Sequence, residues 1–132
     1  MKKQGILNGE ISRVLSYMGH TDRICIGDCG LPIPDEVERI DLALKLGQPS
    51  FLDVLKEVAG DMKIEKIVLA EEMKEKNPQQ LKAVLDFFGG EPEVEFVPHD
   101  TFKALTKNCK AIIRSGEASP YSNIILQSAC LF

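Results

Sequence analysis

The chain has 132 residues, of which 44% are hydrophobic, and a formal net charge of −4. This length fits one domain with a buried core, so we expect residues 1–132 to form a single unit. The acidic balance argues against a nucleic-acid partner, because such a surface needs clustered Lys and Arg side chains to neutralise phosphates. No apolar run approaches the ~20 residues that span a bilayer, so no membrane partner is expected either.

The cysteines and glycines exclude further classes of function. The four cysteines form no C-x-x-C pair and stand outside zinc-ligand spacing from the two histidines. The glycines form neither a dinucleotide-binding fingerprint nor a phosphate-binding loop. We therefore expect no metal and no cofactor. The first residues lack the apolar stretch of a signal peptide, which favours a cytoplasmic protein with reduced thiols.

Apolar periodicity and capping residues predict ten elements in chain order. Asn8 is placed to cap a first helix, which Gly19 ends. A strand over 23–28 and a Gly- and Pro-rich loop over 29–34 follow. The remaining elements are a strand over 37–44, a helix capped by Ser50, a strand over 66–70, a helix from Pro78 to Gly89, a strand over 94–97, a short helix from His99, and strands over 110–114 and 123–128.

The order of these elements predicts the fold class, which is one α/β domain with a mainly parallel or mixed central sheet flanked by helices. In such sheets, ligands bind beyond the carboxyl ends of the strands. Three polar groups fall at predicted strand ends, namely Asp28, His99 and the segment 119–123. This coincidence makes them candidates for one binding site.

The two histidines and Asp28 are the candidates for acid/base chemistry. An imidazole changes charge near neutral pH, which suits His20 to proton transfer, but a histidine also interacts favourably with the end of a helix. Asp28 could orient a histidine or accept hydrogen bonds from sugar hydroxyls, or it could only hold backbone N–H groups of its loop. His99 could contact a ligand or simply start a helix. The residues alone leave these alternatives open.

The segment Tyr121-Ser122-Asn123 follows Pro120 and carries a mixed set of polar groups. Tyr121 supplies a flat apolar face and one hydroxyl, and Asn123 supplies both a donor and an acceptor. This mixture suits a neutral polyol better than a phosphate. The alternative is an ordinary turn that leads into the strand.

Seven short segments, spread along the whole chain without a large insertion, form a pattern that is typical of one family. They are MKKQGILN at 1–8, GHTD at 19–22, DCGLPIP at 28–34, IDL at 40–42, FK at 102–103, IIRSGE at 112–117 and PYSNIILQ at 120–127. In these segments the chain resembles the family of ribose pyranases and fucose mutarotases, and the last segment is closer to the ribose members. Cys29 departs from the pattern, since a small residue such as Ala is expected there, but a buried thiol is close to it in size.

The resemblance implies an isomerase that interconverts β-D-ribopyranose and β-D-ribofuranose and supports ribose catabolism. His20 would be the proton donor. The substrate contacts would be Asp28, His99, Tyr121, Ser122 and Asn123. The family also implies D-ribose as the small-molecule partner and a homo-oligomer, a decamer of two pentameric rings. The alternatives are a fucose-type mutarotase and a non-catalytic sugar-binding or regulatory protein.

One distance limits how His20 and Asp28 could act together. A strand rises ~3.3 Å per residue, so an extended segment over 23–28 would place its ends ~17 Å apart. Either the turn over 19–22 folds back, or a neighbouring subunit completes the site. The group that takes the anomeric proton stays open among Asp28, His99 and a bound water.

Overall fold

The computed structural model describes all 132 residues, Met1–Phe132, as five α-helices and six β-strands. In chain order the elements are α1 (Gly9–Tyr17), β1 (Arg23–Gly27), β2 (Glu38–Asp41), α2 (Phe51–Asp61), β3 (Ile64–Ala70), α3 (Met73–Lys76), α4 (Pro78–Phe88), β4 (Glu93–Val97), α5 (His99–Leu105), β5 (Ala111–Arg114) and β6 (Ile124–Ser128). A 3-10 turn at Thr106–Asn108 follows α5. The predicted order is confirmed except for the added α3, whose single turn is too short to show helical periodicity.

Local capping explains where the helices begin and end. The side chains of Asn8 and Ser50 each accept a hydrogen bond from the backbone N–H three residues on, at 2.9 and 3.1 Å. Pro78 occupies the first position of α4, where its missing N–H costs nothing. Gly89 ends α4 in the left-handed conformation, with a φ of 60°. These predicted helix ends are confirmed.

Helix α1 ends where predicted, with Gly19 directly after the C-cap Met18, but Gly19 does not adopt the left-handed conformation that is usual at this position. The helix is followed by Met18 in an extended conformation, with φ −70° and ψ 132°. The positive φ of this turn, 71°, falls on Thr21 instead. The turn is closed by a side chain, because the Asp22 carboxylate accepts a hydrogen bond from the Gly19 N–H at 2.9 Å.

Strand β2 is shorter than the predicted strand over 37–44. Leu42 N still donates to Arg114 O of β5 at 2.9 Å, but the chain then turns away, and the Asp41 carboxylate accepts a hydrogen bond from the Ala43 N–H at 3.0 Å. Leu44 N then donates to Gln48 O at 3.0 Å in a tight turn. The alternation of apolar and polar side chains therefore continues past the last paired residue.

The six strands form one sheet in the order β2-β5-β1-β6-β3-β4. β1 and β2 both pair in parallel with β5, and β3 pairs in parallel with β4. β6 lies between β1 and β3 and is antiparallel to both. Five strands therefore run in one direction and only β6 runs against them. The fold class is confirmed as an α/β domain with a mixed central sheet flanked by helices.

Helices cover both faces of this sheet. Ile24 and Ile26 of β1 belong to a core cluster with side chains of α1, α2 and α4. Cys25 points to the other face, where it belongs to a second cluster with Phe102 of α5. Cys109 lies in the same cluster, and burial raises the pKa of its thiol to about 12, so the thiol stays neutral.

Candidate active site

Most of the predicted site residues lie at one edge of the sheet, which we call the carboxyl edge because β1 to β5 end there and β6 begins there. Asp28 follows β1 directly, and Asn123 directly precedes β6. His99 begins α5, and only Pro98 separates it from Val97, the last residue of β4. The structure thus brings these three predicted site residues to the same edge, where ligands of α/β sheets bind.

Asp28 and Asn123 form a reciprocal pair across the junction of β1 and β6. Asn123 Oδ1 accepts a hydrogen bond from Asp28 N at 2.8 Å, and Asn123 Nδ2 donates to Asp28 Oδ2 at 3.0 Å. Gly30 N donates to Asp28 Oδ1 at 2.9 Å. Burial raises the pKa of Asp28, and these hydrogen bonds offset the rise only in part. Each carboxylate oxygen keeps a free lone pair for a hydroxyl donor.

His99 and Tyr121 form the aromatic part of the group. Their rings meet edge to face, with centroids 5.0 Å apart and an interplanar angle of 84°. Both carboxylate oxygens of Glu72 accept a hydrogen bond from His99 N, at 3.0 and 3.1 Å, which holds the start of α5. His99 Nδ1 is buried and has no hydrogen-bond partner within the chain. Buried polar atoms are nearly always paired, so the lack of a partner for this nitrogen within the chain is unusual.

Ser122 is placed differently from its neighbours Tyr121 and Asn123. Its side chain is fully buried, and its hydroxyl lies 2.7 Å from Ser119 Oγ and 3.1 Å from Gln80 Nε2 of α4. The hydroxyl is therefore engaged within the protein. The structure does not bring it into the group at the carboxyl edge, and it ties the segment to α4 instead.

Glu117 anchors the same segment at its other end, a role that the sequence did not indicate. Its carboxylate accepts hydrogen bonds from Phe51 N at the start of α2 and from Ser119 Oγ, at 3.1 and 3.0 Å. Burial acts to raise the pKa of Glu117, but these and further hydrogen bonds together lower it. The segment IIRSGE contains Glu117, yet its partner at Phe51 is 66 residues away along the chain. Only the fold reveals that contact.

His20 lies at the opposite edge, which we call the amino edge because β1 to β5 begin there. Its Nε2 is 2.9 Å from Glu65 Oε2 on β3, and its side chain is half exposed. The turn does not fold back, since Thr21 N bonds the end of β6 through Ser128 O at 2.9 Å. From Arg23 to Gly27 the chain makes four rises of ~3.3 Å, about 13 Å in all. Within one chain, His20 is not brought together with Asp28.

The group at the carboxyl edge contains carboxylate acceptors, an imidazole ring and the aromatic ring of Tyr121. Such a set can hold a molecule that is rich in hydroxyls. No cluster of three or more His, Cys, Asp and Glu side chains is arranged to hold a metal ion. None of the helices has the length and apolar character needed to cross a membrane.

The sequence model of the RbsD / FucU transport protein family matches residues 1–131. The chain belongs to this family. Within the RbsD/FucU family it is 58% identical to the D-ribose pyranase of Staphylococcus haemolyticus (strain JCSC1435), over 100% of both chains. The resemblance found in the sequence is thus confirmed.

Two solved structures of the RbsD/FucU family frame the comparison. Bacillus subtilis RbsD, solved in complex with D-ribose, is 48% identical and superposes with a TM-score of 0.96 over 100% of both chains. The fucose mutarotase of Streptococcus pneumoniae, solved with L-fucose, is 19% identical, with a TM-score of 0.77 over 96% of this chain and 95% of that one. At that identity the second likeness shows the fold alone.

Proposed function

We propose that the protein is a D-ribose pyranase, an isomerase that interconverts β-D-ribopyranose and β-D-ribofuranose. The observation that carries the proposal is the full-length likeness to a chain solved with D-ribose, at a TM-score of 0.96 and 48% identity. The name D-ribose pyranase on a relative that is 58% identical over the whole chain supports the same activity. The fucose mutarotase is only 19% identical, which favours ribose over fucose as the substrate.

The reaction needs an acid and a base, and it needs no redox step. The two ring forms of ribose differ in which hydroxyl closes onto C1. Interconversion through the open chain breaks the bond between C1 and the ring oxygen, exposes an aldehyde, and recloses through the other hydroxyl. The departing ring oxygen needs a proton, and the anomeric hydroxyl must lose one. A positioned acid or base typically contributes ~10²–10⁴-fold to such a step.

The group at the carboxyl edge supplies the substrate contacts in this proposal. Asp28 accepts hydrogen bonds from sugar hydroxyls, and Asn123 holds its carboxylate in place through the bond at 3.0 Å. His99 contacts the sugar through its imidazole ring, and Tyr121, whose ring meets that imidazole edge to face, presents its ring and its hydroxyl. Ser122 contributes by holding the loop. Asp28 is also the favoured base, because burial raises its pKa towards the working pH.

His20 is the proton donor in this proposal, and it then comes from a second subunit, because it lies at the amino edge of its own chain. A contact between the amino edge of one subunit and the carboxyl edge of the next is head-to-tail, and such contacts form a ring when the rotation between subunits closes. The decamer of two pentameric rings that we propose follows from the family resemblance, and a head-to-tail contact is compatible with its rings. Large exposed apolar side chains support contacts between subunits. They include Leu44, Leu46, Leu131 and Phe132, each more than three-quarters exposed.

The cytoplasm is the compartment that we propose for the protein. All four cysteines are free. Free thiols persist in reducing compartments, whereas oxidising compartments favour disulfides. This location fits a role in ribose catabolism.

Exchange NMR on D-ribose tests the activity by following magnetisation that passes between ribopyranose and ribofuranose signals, with and without protein. We expect micromolar protein to accelerate the exchange, and we expect folded His20→Ala protein to lose about 10²-fold or more of that acceleration. L-Fucose under the same conditions is the comparison, and a larger acceleration for fucose would reassign the substrate. Ribose binding without any acceleration would make the protein a sugar-binding protein and refute the proposal.

A further inference from the structure

The amino edge holds a chain of side-chain hydrogen bonds that ends at His20. Glu65 Oε2 lies 2.9 Å from His20 Nε2, and Glu65 Oε1 accepts from Gln127 Nε2 at 2.8 Å. Gln127 Oε1 in turn accepts from Arg23 Nε at 2.9 Å. This series of hydrogen bonds crosses three adjacent strands, β1, β6 and β3. It therefore fixes His20 to the body of the sheet, although His20 itself lies in a turn.

The backbone of β3 is irregular at the residue that holds His20. In the pairing of β3 with β6, Ile64 lies opposite Ser128 but Lys66 lies opposite Gln127, so the register shifts at Glu65. A β-bulge of this kind adds one residue to a strand and redirects its side chain. The bulge thus places the Glu65 carboxylate between His20 and Gln127.

Two charged side chains, Arg23 and Glu65, determine which atoms donate and which accept in this series of hydrogen bonds. Arg23 can only donate, so Gln127 presents its oxygen to Arg23 and its NH₂ to Glu65. The hydrogen bonds from Gln127 and then from His20 lower the pKa of Glu65, which keeps the carboxylate ionised and able only to accept. His20 Nε2 must therefore carry its hydrogen in this contact. The free lone pair of a neutral His20 is then on Nδ1.

We propose that Glu65 is a positioning residue that holds His20 through Nε2, so that Nδ1 is the atom that exchanges the proton with the sugar. The inference deepens the proposed function and rests on it for the identity of the substrate. Glu65 itself does not touch the sugar. It selects one tautomer and one orientation of the ring that does.

The proton balance of ring opening and reclosure is consistent with this role. During opening, Nδ1–H of the imidazolium gives its proton to the ring oxygen as the bond from C1 to that oxygen breaks. The anomeric hydroxyl gives its proton to the base at the carboxyl edge, and the aldehyde forms. The imidazole that remains has its hydrogen on Nε2, which is the tautomer that Glu65 stabilises. During reclosure the other hydroxyl attacks C1 and returns its proton to Nδ1, while the base returns the anomeric proton.

The test combines Glu65→Gln with two readouts, heteronuclear NMR of the imidazole nitrogens and the rate of ribose ring exchange. The chain has only two histidines, so the His20 signals are assigned by comparison with His20→Ala. We expect wild-type His20 to be in the Nε2–H tautomer and Glu65→Gln to shift it towards a mixture. We expect kcat to fall about 10-fold with little change in KM, less than the ~10²–10⁴-fold of a whole acid or base.

Two further variants separate positioning from a general effect on charge or folding. Glu93→Gln is the matched control, because Glu93 lies on the neighbouring β4, is largely exposed, and contacts Lys66 at 3.5 Å rather than His20. It should leave both the tautomer and the rate unchanged. Gln127→Leu removes the support of Glu65 without altering its charge. It should shift both readouts in the same direction as Glu65→Gln, by a smaller amount.

A double-variant cycle supplies the result that would overturn the inference. If Glu65 acts through His20, adding Glu65→Gln to His20→Ala should cause no further loss of rate. A further loss of the same size as in the single variant would give Glu65 a purely structural role. An unchanged tautomer in folded Glu65→Gln protein would overturn the inference equally. If the wild-type protein fails to accelerate ribose exchange, the proposed function fails, and the tautomer measurement still decides whether Glu65 positions His20.

Discussion

The separation of His20 from Asp28 predicts how two inactive variants should behave when they assemble together. His20 lies at the amino edge, where it contacts Glu65, and Asp28 lies at the carboxyl edge, where it contacts Asn123. The length of β1, about 13 Å, keeps them apart within one chain. A site that contains both residues must draw them from two chains. His20→Ala and Asp28→Ala chains should therefore complement each other in a mixed oligomer.

The expected size of the effect follows from counting pairs of chains. A site recovers both residues only where the subunit that supplies the imidazole is Asp28→Ala and the subunit that supplies the carboxylate is His20→Ala. With equal amounts of the two chains and random assembly, each condition holds in about half of the cases, so about a quarter of the sites recover. Pure His20→Ala protein loses ~10²–10⁴-fold of its activity, so a quarter of the wild-type activity stands far above that background.

The assay is exchange NMR on D-ribose with co-expressed chains that carry different affinity tags and are purified through both. Each pure variant, expressed alone, gives the background, and circular dichroism confirms that it is folded. Mixed oligomers that contain both chains and stay at the background rate would refute the reasoning. In that case both residues would have to act within one chain.

Two further predictions concern the carboxyl edge. A Cβ on Gly27 would lie 2.7 Å from Leu31 Cδ2 and 3.2 Å from Asn123 Oδ1. Gly27→Ala should therefore cost about 1–3 kcal/mol in thermal unfolding and, by displacing Asn123, lower kcat/KM. Gly60→Ala, where a Cβ meets open space in a helix, should be neutral or stabilise by up to about 1 kcal/mol. Equal effects of the two variants would contradict this. Hydrogen bonds such as that from Phe51 N lower the pKa of Glu117. The stability that this carboxylate contributes is therefore complete above its ordinary pKa of 4.5 and is lost as the pH falls through the lower pKa of the folded protein. Urea unfolding at a series of pH values should therefore show the gap between wild type and Glu117→Gln narrowing below about pH 4.5, and a constant gap would contradict the argument.

The secondary structure could be predicted where its causes are local. Asn8, Ser50 and Pro78 mark helix starts because a cap needs only the backbone of the next three residues. The turn after α1 could not be predicted, because Asp22 closes it with a side chain and Gly19 therefore needs no left-handed conformation. The end of β2 was also missed, because the alternation of apolar and polar side chains continues beyond the last residue of β2 that pairs with β5.

The carboxyl-edge site could be predicted in outline but not in its contacts. Asp28 and His99 follow strands of one direction, and parallel strands end at one edge, so strand ends alone indicated a common site. The hydrogen bonds between Asn123 and Asp28 depend on β6 lying antiparallel beside β1, and they join residues that are 95 positions apart. The orientation of Ser122 towards α4 depends on packing that no local pattern records.

The amino-acid sequence by itself determined the element order, the α/β class, the family and the identity of the polar residues worth testing, because each of these depends on periodicity, caps or short motifs. Only the tertiary structure decided which of them meet. Strand order is set by burial over the whole chain, and it places His20 beside Glu65 at one edge and Asp28 beside Asn123 at the other. Because β1 separates His20 from Asp28 within one chain, a site that uses both residues must form between two subunits.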